Sequence, residues 1–566
     1  MNIAHVVVDL PIEGHFDYLI PDDLIDKAII GVRVKIVFGT KSTVGFIVGL
    51  AQETTFDKIK PIKDIYDATP IVNAADLIFA KQFCQYYGCS LGEALALIVR
   101  HRRNPPIEQP SRSLGKIGIH HCPDGQYLPV ITALIEKVDL YHILVPDGHV
   151  ANGLNIPKSL RPRVGLRSSM FEAFLKNRLI IVIDEDNPSF KQEQSPMYQT
   201  RDVVLMAQHV YGFDVAFVGA TPSVELMHLV KEKKALYTYY EPAALKKSSI
   251  IDLTNYKFLD KGVLSPPVRN CCQNNINAKK ITILLLNRRG SFSITRCREC
   301  ANILKCPHCD APLAYERNTK QYKCRLCSFV VSALGSCSSC HKNNWQSFGL
   351  GVDGLQKELQ QLFPTARIVA FEANKEGLPP AGDIIIATSA ILRFRSSLTV
   401  NSIICVDLDT ELNRTDIRSS FHGWSMMMHL RQMTQELLVQ TRNRDHFVFK
   451  SLASDDPHYF YNEELALRKE LGFTPFYHWL AVRIRSKTEK IADTAAQAVY
   501  NKLIEMKSKG VTAGAPEADT PAKVRDQFRF KVMVGSLQVQ DSISVIKHVL
   551  AEIKRSRVII TLDIDP

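Results

Sequence analysis

Short apolar runs separated by turns divide the chain before any motif is considered. Near the start IAHVVVDL (3–10), VRVKIVF (32–38) and VGFIVGL (44–50) read as strands, the last two joined by the turn FGTKST. Residues 74–100 have helical spacing and close a small β-rich N-terminal unit over 1–103. NPPIEQPSRSLGK (104–116), rich in proline and polar residues, is a linker. From 117 to 253 the pattern is α/β: LIIVI (179–183) ends in DEDN, and VAFVGATPS (215–223) breaks into a turn. A further unit over 254–452 carries the strands ITILLL (281–286), ARIVAF (366–371), DIIIAT (383–388) and SIICVDL (402–408), with a cysteine segment inserted at 295–345. A final α+β unit spans 453–566, so the pattern predicts a multidomain α/β chain without repeats beyond its CxxC pairs.

The inserted segment reads C-x2-C-x5-C-x2-C-x14-C-x2-C-x9-C-x2-C. Each CxxC can offer two thiolates to one tetrahedral ion, and two such knuckles complete a closed site. The fourteen residues between the inner pairs suffice for a hairpin, whereas the five between Cys300 and Cys306 leave little room for one, so the pairs nest. The expected cofactors are two zinc ions, the first on Cys297, Cys300, Cys337 and Cys340, the second on Cys306, Cys309, Cys324 and Cys327. A segment this short buries little core, so the metals supply its folding free energy.

Composition narrows the setting. At 566 residues the chain has room for roughly three to five domains. No stretch approaches the roughly 18 uninterrupted apolar residues of a membrane helix, and MNIAHVVVDLPIEG does not resemble an export signal, so the expected location is the cytoplasm with no membrane partner. In a reducing cytosol, fourteen cysteines point to ligands or buried apolar residues more than to disulfides. The net charge of +12 favours a polyanionic partner, and it is unevenly placed: residues 1–103 hold 11 Lys/Arg against 12 Asp/Glu, residues 295–345 hold 8 against 3.

The cysteine segment, with LLLNRRGSFSITRCREC before it and FGLGVDGLQKELQQLFPTAR after it, resembles the PriA family of bacterial replication-restart proteins. VVVDLPIEGHFDYLIP, IDEDNPSFKQEQSPMYQTRD, ELALRKELGFTPF and GAPEADTPAKVRDQFRF match in the same order, over nearly the whole chain. The resemblance implies an N-terminal domain for the DNA 3′ end at 1–103 and two RecA-like helicase lobes at 117–253 and 254–452. It further implies a two-zinc ribbon module at 295–345 within the second lobe and a C-terminal domain at 453–566. The family's winged helix has no room between the linker and the first lobe.

The motor expected from that resemblance is degenerate. A phosphate loop of the form GxxxxGK[ST] holds phosphates on backbone amides and a lysine, and no such string occurs. GTKS (39–42) lies between two strands and reads as a hairpin turn; the first lobe offers ITALIEKVDLYHILVPDGHV instead of a glycine cluster. Asp184 and Glu185 end an apolar strand as magnesium- and water-holding carboxylates do, but the family's next-but-one histidine is Asn187. They read as a vestigial nucleotide site. No paired GR follows FHGWSMMMHLRQMTQ, and Arg442 and Arg444 are poor replacements for the family's arginine motif.

What the resemblance leaves is recognition. Phe16, Asp17, Tyr18 and Gly39 match the family's 3′-end pocket, where a carboxylate accepts from a terminal base or sugar and discourages a further phosphate; read as residues alone they are equally a strand and its turns. Phe190, Lys191, Tyr198 and Arg201 suit a single strand, with rings for bases and cations for phosphates, and suit equally a loop that covers the lobe. Arg288 and Arg289 are candidate phosphate contacts. Lys523, Arg525 and Arg529 alternate with Phe528 and Phe530 where the family contacts branched DNA and single-strand-binding protein. The implied function is a replication-restart protein that recognises abandoned forks, binds forked and single-stranded DNA and recruits primosome and helicase-loading proteins without unwinding of its own. The alternative is an active ATP-dependent 3′-to-5′ DNA helicase with a diverged nucleotide site.

Overall fold

The computed structural model describes the chain except residues 1, 57, 101, 103–113, 155–156, 158–162, 243–245, 257–262, 287–293, 298, 301, 309–312, 317–320, 325–328, 333, 349–351, 372–376, 378, 380, 396, 415, 507 and 554–556. Arg288, Arg289, Cys309, Cys327 and most of the 104–116 segment therefore lie outside the described residues.

The N-terminal strands Ile3–Val8, Phe16–Leu19, Arg33–Phe38 and Lys41–Ala51 form the body of a six-stranded sheet, with the short strands Lys60–Pro61 and Asp64–Ile65 at its edges. The helical spacing over 74–100 resolves into two helices, Ala74–Tyr87 and Leu91–Val99. Gly88 ends the first in the left-handed conformation, and Ser90 opens the second through a capping box with Glu93.

Two six-stranded parallel sheets follow. The first runs Leu236–Tyr239, Ile117–His121, Asp214–Gly219, Leu179–Ile183, Tyr141–Leu144, Val164–Gly165 in spatial order. The second runs Lys247–Asp252, Thr434–Thr441, Val400–Cys405, Thr282–Leu285, Ile384–Ala387, Ile368–Phe371. Parallel sheets are covered on both faces, which is why their central strands are apolar at every position: LIIVI, TILL and IIIA are buried throughout. The strands Ile117–His121 and Tyr141–Leu144, where histidines and tyrosine interrupt the apolar run, carry no such signal.

Between Thr282–Leu285 and the helix Val352–Leu362 the chain leaves the second sheet to build a five-stranded antiparallel module, Val330–Val331, Gln321–Lys323, Ala314–Glu316, Ile294–Cys297, Trp345–Phe348 in spatial order. The C-terminal sheet is antiparallel around His478–Ser486 and Gln527–Ser536, with the helices Glu489–Met506 and Val539–Glu552. Among the described residues no helix is long and apolar enough to cross a membrane.

The units share cores. One cluster joins Phe79 and Phe83 of the N-terminal helices to Phe174, Phe190 and Phe213 of the first parallel unit and to Leu480 and Ile543 of the C-terminal unit. Another joins Val224 and Met227 to Trp424, Phe460 and Tyr461. The helix Pro457–Leu471 straps the two parallel sheets together: the Tyr461 hydroxyl donates to the Pro222 carbonyl at 2.5 Å, and Arg468 reaches Glu225 at 3.4 Å. Such shared burial fixes the relative placement of the units that line the site.

Candidate functional site

The two parallel sheets face one another across a cleft of about 660 Å³, lined by Asp147, Asp184, Asp186, Arg393, Arg395 and His429 among others. Asp184 leaves the strand Leu179–Ile183 with a left-handed backbone, φ 48°. Its carboxylate is buried, accepts the Tyr127 hydroxyl at 2.6 Å, and is ion-paired with Arg395 from the opposite sheet. Burial pushes this carboxyl up, but Arg395, with His429 and the Tyr127 hydrogen bond, outweighs it and holds it below the ordinary range.

The neighbouring carboxyls behave oppositely. Burial raises Glu185 to about 8 against the pull of Arg201, which lies 3.8 Å away. At neutral pH Glu185 is therefore largely a neutral acid, accepting the Ser223 backbone N–H at 2.7 Å. Asp186 is raised to about 6 by burial and by Asp184, and accepts the Ser425 and Thr221 hydroxyls at 2.9 and 3.0 Å. His429 is lowered to about 4 by burial, with Arg395 adding to it.

After the strand Tyr141–Leu144 the chain enters the short helix Gly148–Gly153, where Asp147 accepts the Val150 N–H at 2.9 Å. A carboxylate thus caps amides that a phosphate loop would present to a ligand. Arg442 and Arg444 are exposed and do not line the cleft, whereas Arg393, Arg395 and Arg414 do. Those three were missed in the sequence; the signal was the pair of arginines in ILRFRSS, next to an apolar strand.

In the cysteine module the outer knuckles meet. Cys297 lies 3.5 Å from Cys340 and Cys300 3.5 Å from Cys337, Sγ to Sγ, and all four sulfurs fall within 4.8 Å of one another. Tetrahedral zinc with bonds of about 2.3 Å sets its sulfurs about 3.8 Å apart, so the four fit a metal. The backbone N–H of Cys340 leads the effects that lower the Cys337 thiol to about 6, favouring the thiolate. Of the inner four, Cys306 and Cys324 are buried together with Leu313.

The predicted nucleic-acid residues are not one surface. Tyr18 is buried, its hydroxyl donating to the Val37 carbonyl at 3.1 Å, and Phe16 packs edge-on against Phe38 with ring centroids 4.8 Å apart. Both rings join the core of the sheet. Asp17 lies between them in the strand and so points to the other face, where it accepts from His5 at 2.8 Å and from the Thr54 hydroxyl at 2.5 Å. Grouping Asp17 with the two rings is corrected by that alternation. Gly39 is exposed with φ 60°, and its carbonyl accepts Lys60 Nζ at 2.8 Å, a cation the sequence reading missed.

The loop over 187–202 is a docking element, which corrects its reading as a stacking platform. Phe190 is 0% and Tyr198 3% exposed, inside the core that joins the N-terminal helices to the lobe. Arg201 is buried between Asp202 and Glu225, at 2.9 and 3.0 Å, and Lys191 pairs with Asp563 at 2.9 Å. The two rings are enclosed and have no face left for bases, while the two cations are engaged by carboxylates. In the C-terminal unit Lys523 donates to the Pro307 carbonyl of the cysteine module at 2.7 Å, and Arg529 is paired with Asp519. Arg525 lies in the left-handed turn of the hairpin and lines a cavity of about 440 Å³ with Arg483, Arg485 and Arg529.

This arrangement, an N-terminal sheet domain joined to two parallel-sheet units with an inserted cysteine module, is a class of multidomain α/β protein. Residues 5–100 match the model of the PriA 3′DNA-binding domain. Replication restart protein PriA of Bacillus subtilis is 24% identical over 72% of this chain, which spans only 54% of that protein's length. PriA of Rickettsia conorii is 22% identical over 100% of this chain and 99% of its own, and that of Treponema pallidum 23% over 99% and 98%. The chain is thus similar to PriA proteins along nearly its whole length, at 22–23% identity. Solved structures superpose weakly: E. coli DExH-box NTPase HrpB at TM-score 0.30 and 11% identity over 58% of this chain and 39% of that one. S. cerevisiae Dbp5 bound to RNA and ADP BeF3 gives 0.26 and 10% over 69% and 92%. Similarity at that level bears on neither site nor function.

Proposed function

We propose that the chain is a non-motor replication-restart protein, which holds forked and single-stranded DNA and serves as a platform for primosome and helicase-loading proteins and for single-strand-binding protein. In this reading 1–103 takes the 3′ end, 117–253 and 254–452 are scaffold lobes, 295–345 carries two zinc ions on eight cysteines, and 453–566 contacts branched DNA. The cysteines would hold those ions, which supply folding free energy to the module and no chemistry.

One observation carries the reading: the Asp184 carboxylate is paired with Arg395 across the cleft and accepts the Tyr127 hydroxyl from its own side. Magnesium–nucleotide chemistry needs that carboxylate directed at the metal, a phosphate-binding lysine and an acceptor for the attacking water. Here the first is engaged, the second has no counterpart in a GxxxxGK[ST] string, and Glu185 is protonated near neutrality. The Asp147 carboxylate in the cleft adds repulsion toward phosphates.

The test is steady-state ATP turnover with and without forked DNA. No DNA-stimulated turnover is expected. Stimulated turnover that disappears in Asp184→Ala would establish the alternative, an ATP-dependent 3′-to-5′ DNA helicase.

A further inference from the structure

We propose that His5, His15 and Asp17 form a second, open metal site on the N-terminal sheet, for a divalent transition ion of the zinc class. His5 and Asp17 are directly opposite each other on antiparallel strands, and His15 is two residues before Asp17, so all three reach one face. His5 Nδ1 lies 2.8 Å and His15 Nε2 3.7 Å from the same Asp17 oxygen, and the three donor atoms fall within 4.8 Å of one another. A tetrahedral ion with bonds of about 2.0–2.1 Å holds its ligand atoms about 3.4 Å apart, so shifts on the order of 1 Å admit it.

The surroundings are shaped for the ring. On its other side His5 faces Gly49 in register, and a Cβ there would come 2.9 Å from His5 Cδ2. The pairing with the strand Lys41–Ala51 shifts register between His5 and Val6. Thr54 donates to the second Asp17 oxygen and leaves the first for the ion, the role of an outer hydrogen bond that orients a ligand.

The ion takes the place of the hydrogen bond between His5 and Asp17. His15 is 49% exposed and His5 26%, so the solvent side stays open for water or an exogenous oxygen. Two imidazoles and one carboxylate select zinc, nickel or copper over magnesium and calcium. The site stands apart from the cysteine cluster and does not depend on the restart reading, although an ion there would engage Asp17.

Full-length protein carrying zinc on its cysteines, dialysed into zinc-free buffer, is titrated calorimetrically with zinc chloride. One further equivalent is expected, weakened at least tenfold in both His15→Ala and Asp17→Asn, with His209→Ala unchanged as a control for exposed histidines. His15 is exposed, so its variant folds, as unaltered circular dichroism will show. A wild-type isotherm without a further equivalent, or one that either ligand variant leaves unaltered, overturns the proposal.

Discussion

Asp184 and Asp17 are two carboxylates on two sheets, and each sits where a ligand has been expected. Asp184 is enclosed: an arginine that follows the facing sheet's strand Ile384–Ala387 and a tyrosine hydroxyl engage its two oxygens. Asp17 is held by groups at the surface, two histidines and a threonine, which can be displaced at the cost of ordinary hydrogen bonds. The same residue type therefore closes one region and keeps another available. The difference lies in the partners: a buried guanidinium keeps its charge and its place, whereas an exposed imidazole can turn away into water.

The largest effect should come from opening the enclosed pair. Arg395→Ala leaves Asp184 buried without its cation and is expected to cost about 3–5 kcal/mol, read as a lowered denaturant midpoint. Adding Asp184→Asn to it should recover much of that loss, because the stranded charge goes. A single-variant loss below about 1 kcal/mol would mean that the cleft is closed by something other than this pair.

How far the sequence could show these regions follows from what sets each one. Strands such as LIIVI and IIIA are legible because burial on both faces forces apolar residues at every position. The CxxC spacing is legible because a tetrahedral ion needs its four thiolates in local pairs, and Cys297, Cys300, Cys337 and Cys340 do converge. Arg395 was not, since its partner is 211 residues away and nothing local marks it. Phe190 and Tyr198 were ambiguous for a different reason: an aromatic loop looks the same whether it stacks on bases or docks on a helix, and only the N-terminal helices decide it. The separation of Asp17 from Phe16 and Tyr18 was available in principle, because neighbours in a strand face opposite ways.

A pH series sharpens the enclosed side. Glu185 is raised to about 8 when folded against 4.5 in the unfolded chain, so its contribution is fully present below pH 4.5 and is lost as pH rises through 8. Asp186, raised to about 6, acts in the same direction but is mostly complete by pH 7, and His429, lowered to about 4, acts oppositely and below that range. Between pH 7 and 8 the wild type should therefore lose up to about 1 kcal/mol relative to Glu185→Gln, whose neutral amide does not titrate, seen as urea midpoints that draw apart with the wild type falling. Parallel midpoints across that interval would place Glu185 in contact with water.

On the open side, backbone conformation sets a smaller effect. Gly39 has φ 60° and a Cβ there would meet nothing within 4 Å, so Gly39→Ala isolates the left-handed cost, about 1 kcal/mol. Thermal denaturation of the full chain gives the value. A cost of several kcal/mol would mean that the turn is packed and not open.

The smallest stability effect belongs to Asp17. Asn keeps one oxygen and one side of the hydrogen-bonding geometry, and the exposed histidines rehydrate, so Asp17→Asn should cost about 1 kcal/mol or less. Its effect on DNA should be larger than its effect on folding, because a terminal hydroxyl loses a charged acceptor while the sheet keeps its apolar core. Fluorescence anisotropy with a free and a phosphate-blocked 3′ terminus separates the two: the wild type should prefer the free end and the variant should lose most of that preference. If both proteins bound both ends equally, Asp17 would be a carboxylate that DNA does not use, and the contrast with Asp184 would lie in their protein partners alone.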